Sequence, residues 1–249
     1  WSLGNIPDYN DAKGKSFHLD VWENMLTALK LSEVKGVKES SAVRFADKAV
    51  EAAVRKRLDK PSGDIYKGDL EGIYRFKIPA GATNINDLKL FANLEYLDAQ
   101  SLGIKDIKAL GNLKNLRVLY LQRNQITDIS PLKGLTKLQI LSLNGNRIAN
   151  LDALSGLKEM KELYLSENQI GNVTPLANMT RLGKLNMSAN KLKDVSSLSK
   201  LTGLFELTLE GNMLSSLKPL SKLNKLIYLN AANNKLGDIS ALKQLKNLE

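Results

Sequence analysis

The sequence predicts an α/β solenoid: a curved parallel β-sheet with short 3-10 or extended returns on the convex side, and a helical cap at its N-terminal end. Three observations predict it. From residue 94 onward the chain repeats every 22 residues. Six successive units carry an asparagine at the same place. A short amphipathic segment over 45–72 comes just before the periodic part. A fixed period of this length is the mark of stacked units that bury their apolar faces only against one another.

One unit reads Leu116-x-x-Leu119-x-Leu121-x-x-Asn124-x-Ile126-x-x-Ile129-x-x-Leu132-x-x-Leu135. Alternation at Leu119 and Leu121 predicts a short strand, and the later spacing of three predicts an extended or tight helical return. Seven units begin at Leu94, Leu116, Leu138, Met160, Leu182, Leu204 and Leu226, and an eighth is cut short at Leu248-Glu249. That last coil starts without a polar cap, so the natural protein is expected to continue. Asn124, Asn146, Asn168, Asn190, Asn212 and Asn234 form the recurring column, with Leu102 in its place in the first unit. An amide at that point can satisfy backbone groups of its own turn and of the adjacent coil. These six residues are therefore expected to be a structural ladder.

Residues 73–93 predict a degenerate first coil. Ile73, Phe76 and Ile78 stand for the strand, and Ile85, Leu88 and Phe91 for the return. The segment 41–72 predicts a helical cap, in which Asp47 caps a helix containing Val50, Val54 and Leu58 and Pro61-Ser-Gly63 stops it. Residues 1–40 predict a separate segment or linker, the tail or helix of a preceding module. Within them Val21, Trp22, Met25, Leu26 and Leu29 could share one face of a helix over 19–31. Asp8-x-Asn10 with Gly14 is a poor calcium loop, because Leu19 falls where the bidentate acid belongs.

The repeat is the leucine-rich repeat pattern. The 22-residue form, with Asn124-Gln-Ile-Thr-Asp-Ile-Ser-Pro-Leu132, resembles the internalin-type repeats of Gram-positive cell-surface proteins. The run Phe45–Val54 followed by Asp69-Leu-Glu-Gly-Ile73 is similar to the cap that precedes such repeats. The resemblance implies a secreted or surface-attached virulence or adhesion protein that binds a host or other protein ligand. Two other readings stay open. The array could be a structural spacer between ligand-binding modules, haem or iron-acquisition modules among the candidates, of a larger surface protein, or it could be an intracellular phosphatase regulator, whose repeats share the period.

Composition narrows the chemistry. The 249 residues hold no cysteine and one histidine, His18. Thiol catalysis, disulfide scaffolds and multi-histidine metal sites are excluded, and no cofactor or metal is expected. No apolar run is long enough to form a membrane helix. The first residue is Trp, and the chain reads as a mature or excised fragment with no leader or wall anchor in view.

Function is expected on the concave face. If Leu119 and Leu121 point inward, residues 118, 120 and 122 point outward. The outward columns bring Tyr96, Val118, Tyr120, Ile140 and Tyr164 together, and Phe205, Ile227 and Tyr228 form a second group. Exposed rings of this kind mark protein-binding surfaces, although cross-strand tyrosine pairs also stabilise sheets. Glu162, Lys184 and Glu206 occupy one column as a minus-plus-minus ladder. Two acids about 9.6 Å apart with a lysine between them are not arranged as a glycosidase pair, so no catalytic residue is assigned.

The net charge is +10. The repeats carry 21 basic and 13 acidic residues. Much of the excess falls in the turns that lead into the strands, at Lys114, Lys133, Lys137, Lys158, Arg181, Lys200, Lys222, Lys225, Lys243 and Lys246. Such an edge could touch anionic wall polymers, or could simply keep the protein soluble. Nucleic acid is not expected, because the aromatics and the lysines lie on different faces. A monomer is expected.

Overall fold

The computed structural model describes residues 42–249. The expectations for residues 1–40, including the helix over 19–31, His18 and the Asp8 loop, lie outside the described residues.

Two helices come first among the described residues, α1 (Lys48–Arg57) and α2 (Lys67–Leu70). Eight three-residue strands follow: β1 (Arg75–Lys77), β2 (Tyr96–Asp98), β3 (Val118–Tyr120), β4 (Ile140–Ser142), β5 (Glu162–Tyr164), β6 (Lys184–Asn186), β7 (Glu206–Thr208) and β8 (Tyr228–Asn230). They form one parallel sheet in sequence order, and each strand is followed by a 3-10 return. Register is strict: Leu97, Leu119, Leu141, Leu163, Leu185, Leu207 and Leu229 stand opposite one another down the sheet. Phe76 of β1 opposes Leu97, so the degenerate first coil pairs like the others despite being one residue shorter.

The apolar residues of each coil face a single core. Leu119, Leu121, Ile126, Leu132 and Leu135 are fully buried, as are their equivalents in each coil through the one beginning at Leu204. Burial falls away in the last coil. Leu229, Leu236 and Leu242 are half-buried and Ile239 is exposed, whereas Leu207, Leu214 and Leu220 one coil earlier have no exposure. A coil is thus covered by its neighbours, as expected for a quasi-one-dimensional stack.

The asparagine column shows how the turn after each strand is held. Asn168 donates through Nδ2 to the carbonyls of Leu143 at 3.0 Å and Leu165 at 3.1 Å, and accepts at Oδ1 from the Ile148 amide at 3.0 Å. Asn124, Asn146, Asn190, Asn212 and Asn234 repeat the pattern, each reaching back to the coil before it. The residue just before each asparagine is left-handed. It is glycine at Gly145 and Gly211, but not at Arg123, Glu167, Ala189 or Asn233, all with φ between 52° and 57°. In every coil but the last its amide donates to the following coil, as Ala189 does to Glu210 O at 2.7 Å. Interstrand bonding therefore holds a backbone shape that side chains disfavour.

A second column, not anticipated from the sequence, closes the other side. Asp106, Asp128, Asn150, Asn172, Asp194 and Asp238 each accept from the amide two residues on, which opens the 3-10 return. These are Asx turns. Hydrogen bonds from the amide and hydroxyl of Ser130 hold the Asp128 carboxyl below its ordinary value.

At the N-terminal end Asp47 caps α1, accepting from the amides of Ala49 at 2.9 Å and Val50 at 3.1 Å. Its other oxygen accepts from the amides of Thr83 and Asn84 in the first coil. Asp87 answers in reverse, accepting from the amides of Ala46 and Asp47, both at 2.9 Å. Two buried carboxylates so clamp the helix to the solenoid. The helix ends earlier than expected: Leu58 is its C-cap, and Asp59 turns left-handed at φ 50° before Pro61 is reached. Val50, Val54, Ile65 and Leu70 are buried in the same apolar cluster as Ile73 and Phe76 of the first coil.

Candidate functional site: the concave sheet face

Parallel register fixes what the concave face displays. One column runs Arg75, Tyr96, Val118, Ile140, Glu162, Lys184, Glu206, Tyr228. The next runs Lys77, Asp98, Tyr120, Ser142, Tyr164, Asn186, Thr208, Asn230. Arg75 and Lys77 head the columns and were missed in the sequence. They lie in the degenerate first coil, and only its pairing with β2 brings them onto the face.

The structure brings together Tyr96, Val118, Tyr120, Ile140 and Tyr164, and leaves all five half-buried rather than open. Tyr96 and Tyr120 meet edge to face, with ring centroids 5.7 Å apart. The Arg75 guanidinium lies 4.2 Å from the Tyr96 ring centroid, close enough for cation–π attraction. Burial, reinforced by the Asp98 carboxylate, raises the Tyr96 phenol above its ordinary value. Ser142, between Tyr120 and Tyr164 in its column, is buried although it points outward. Asp98 is buried too, accepting from the amide and side chain of Gln100 and pairing with Lys77 at 3.4 Å. Large rings in a column shield the short residues between them.

Phe205, Ile227 and Tyr228 differ. They are 40%, 44% and 50% exposed, the most open of the expected anchors. Phe205 lies across Gly183, where a Cβ would come within 2.5 Å of the ring. The glycine in β6's approach leaves room for the ring to lie flat on the neighbouring coil. Lys184 Nζ stands 5.8 Å from the Phe205 centroid.

The charge ladder is not continuous. Lys184 Nζ pairs with Glu206 at 3.2 Å, while Glu162 accepts from the Tyr164 hydroxyl at 2.7 Å. A tyrosine two residues along the same strand lies nearer to Glu162 than the lysine of the next strand. Burial first, and then the bond to Glu162, push the Tyr164 phenol well above its ordinary value, so it remains a neutral donor. Arg117 and Glu95 pair at 3.5 Å at the start of their strands. Asp98, Glu95, Glu206, Glu162 and Glu210 on the concave face are each engaged with a neighbouring side chain. Among the described residues no cluster of three acidic or imidazole side chains is placed to hold a metal ion, and no helix is long and apolar enough to cross a membrane.

The stack, the asparagine column and the open sheet define a leucine-rich repeat solenoid. The family model for paired leucine-rich repeats matches in overlapping windows at residues 92–134, 114–158, 136–178 and 158–200. Among solved structures the chain is similar to an internalin (inlF) of Listeria monocytogenes, with 29% identity, 85% of this chain and 78% of that one covered, and a TM-score of 0.65. It is also similar to internalin C2 (inlC2) of Listeria monocytogenes, with 30% identity, 82% and 92% covered, and a TM-score of 0.61. A leucine-rich repeat protein of Leptospira interrogans is 25% identical, with 74% and 50% covered and a TM-score of 0.64. No curated protein sequence matches the chain. The chain belongs to the internalin-like leucine-rich repeat proteins.

Proposed function

We propose that this chain is a non-enzymatic binding module of a bacterial surface or secreted protein, and that its concave face holds a protein ligand. The observation that carries the reading is Phe205, 40% exposed within the array on a sheet whose core is already complete without it, next to the open apolar residues Ile227 and Tyr228 of the last coil, where burial falls away generally. Apolar side chains that a fold does not use for its core, set on a rigid surface, bind with little ordering cost. The Tyr96–Tyr120–Tyr164 group supports the same face differently. Its rings are already packed on one another, so they offer a preorganised and partly covered platform beside the open group. The internalins of Listeria monocytogenes among the similar structures support a secreted or surface location.

The test compares the full chain with two double variants, Phe205→Ala/Tyr228→Ala and Tyr120→Ala/Tyr164→Ala, against a protein ligand recovered by affinity capture from host-cell extract. Loss of at least about 2 kcal/mol of binding, typical of central aromatic anchors, is expected for the first pair in a folded variant. The second pair is expected to lose binding and some stability together, because its rings also pack on each other. Unchanged affinity in both folded variants would reject the face.

A further inference from the structure

The charge of the repeats is segregated by position within the coil. In residues 94–249 the last six positions of each coil, which lead into the next strand, hold ten basic residues against one acid, Glu159. The concave positions hold three bases and six acids, counting Glu249. The rest of the coil holds eight bases and six acids. The flank alone therefore carries +9, more than the +8 net charge of the repeats.

On that flank all ten basic side chains are exposed. Arg181 pairs with Glu159, and Lys137 donates to Asn115 at 2.7 Å. Lys114, Lys133, Lys158, Lys200, Lys222 and Lys243 stand in no ion pair among the described residues. Lys114 lies over Gly134 of the following coil, where a Cβ would come within 2.6 Å of its Nζ. The coils are stacked about 4.8 Å apart, so the row runs for about 29 Å from the coil of Lys114 to that of Lys243. Like charges held this close repel one another, and an anion laid along the row relieves the repulsion.

We infer that this flank binds a linear polyol-phosphate polymer, a chain of phosphodiester-linked polyols, lying along the row of lysines. The binding is independent of the concave-face reading. Three features select this chemistry. The flank carries no aromatic residue, so it has no platform for stacking bases. Its cations are nearly all lysines, which act as point charges rather than as the planar forks that read a fixed geometry. Between them stand small hydroxyl and amide residues, such as Thr136, Thr180 and Thr202, suited to the polyol linkers. A flexible carbon linker is long enough to let successive phosphates match the coils, whereas in inorganic polyphosphate neighbouring charges share an oxygen and crowd closer than the coils.

The experiment titrates the full chain with a fluorescent poly(glycerol phosphate) oligomer across a salt series. Two variants of equal net charge are compared. One changes Lys114, Lys133, Lys158, Lys200, Lys222 and Lys243 to Gln; the other changes Lys105, Lys108, Lys191, Lys193, Lys218 and Lys235, which lie outside the flank. Six to eight phosphate contacts would give a slope of log K on log salt of about −4 to −6, by analogy with flexible single strands. The flank variant is expected to lose at least tenfold in affinity and most of that slope, and the control to stay within threefold of the parent. Equal losses in both variants would show that net charge alone acts, and would overturn the inference. So would tighter binding, per charge, to inorganic polyphosphate, heparin or oligo(dT). Thermal melting of both variants confirms that they are folded, since none of the substituted side chains is buried.

Discussion

Replacing Asn168 by Ala should cost more than any single surface change in the array, and the structure shows where the cost arises. The side chain makes bonds to Leu143 O, Leu165 O and Ser166 O, and accepts from Ile148 N. The carbonyls do not lose everything. Leu143 O keeps Asn146, Leu165 O keeps Asn190, and Ser166 O keeps the Gly145 amide. Ile148 N has no second partner, and Ile148 is fully buried. One orphaned donor costs about 1–3 kcal/mol, and the loss of the shared bonds adds roughly 1 more. The total, about 2–4 kcal/mol, lowers the melting temperature by roughly 4–16 °C for an array of this size. Asn234 likewise accepts from the amide of the fully buried Leu214, but it stands half-exposed at the end of the column, where water can replace part of its bonds, so Asn234→Ala should cost less than Asn168→Ala. Calorimetry of the two variants decides the matter. A melting temperature for Asn168→Ala within 1 °C of the parent, or equal costs at both sites, would refute the shared-carbonyl accounting.

Three further outcomes follow from the same structure. Ala189→Gly should stabilise by about 0.5 kcal/mol in a chemical melt, since Ala189 is exposed at φ 52° and glycine removes the left-handed penalty, less its greater freedom when unfolded. Burial pushes the Asp47 carboxyl up, but its bonds from Thr83, Val50 and Asn84 outweigh that and hold it below the ordinary carboxylate value. Its stabilisation is therefore full above that value and is lost as pH falls through the lower folded value. Asp47→Ala should flatten the acid limb of the stability curve, and an unchanged limb would show that the clamp contributes nothing. Gly183→Ala should displace the Phe205 ring while leaving the melting temperature nearly unchanged, because the ring is already open to solvent. If Phe205 is an anchor, ligand affinity falls in that variant; full affinity would remove Phe205 from the site.

Much of the fold was legible because the repeat is strict. Leu119 and Leu121 alternate, Asn124 recurs every 22 residues, and together these set strand, turn and register through the eighth strand. Less was legible where chemistry varies at a constant position. The Asx column is Asp at 106, 128, 194 and 238 but Asn at 150 and 172, and Ser216 takes the same place with a bond from Lys218 at 3.2 Å. A search for one residue type passes over it, and the same 22-residue interval would have found it. The concave columns were legible as columns, but not their exposure. Whether Tyr120 is open depends on whether Tyr96 leans on it, and whether Glu162 joins Lys184 depends on the reach of Tyr164. Such contacts between coils are settled by side-chain packing, which spacing alone does not encode. Arg75 and Lys77 were hidden for a related reason, because the coil that carries them departs from the period.

The most direct test of the concave face places a photoreactive phenylalanine analogue at the position of Tyr228, and in a second protein at that of Asp152, an exposed residue in a convex return. Each full chain is irradiated in host-cell extract and its protein adducts are resolved by mass. A discrete adduct from position 228, absent from position 152 and abolished by Phe205→Ala, is the predicted result. Adducts of equal yield from both faces, or from the convex position alone, would contradict it.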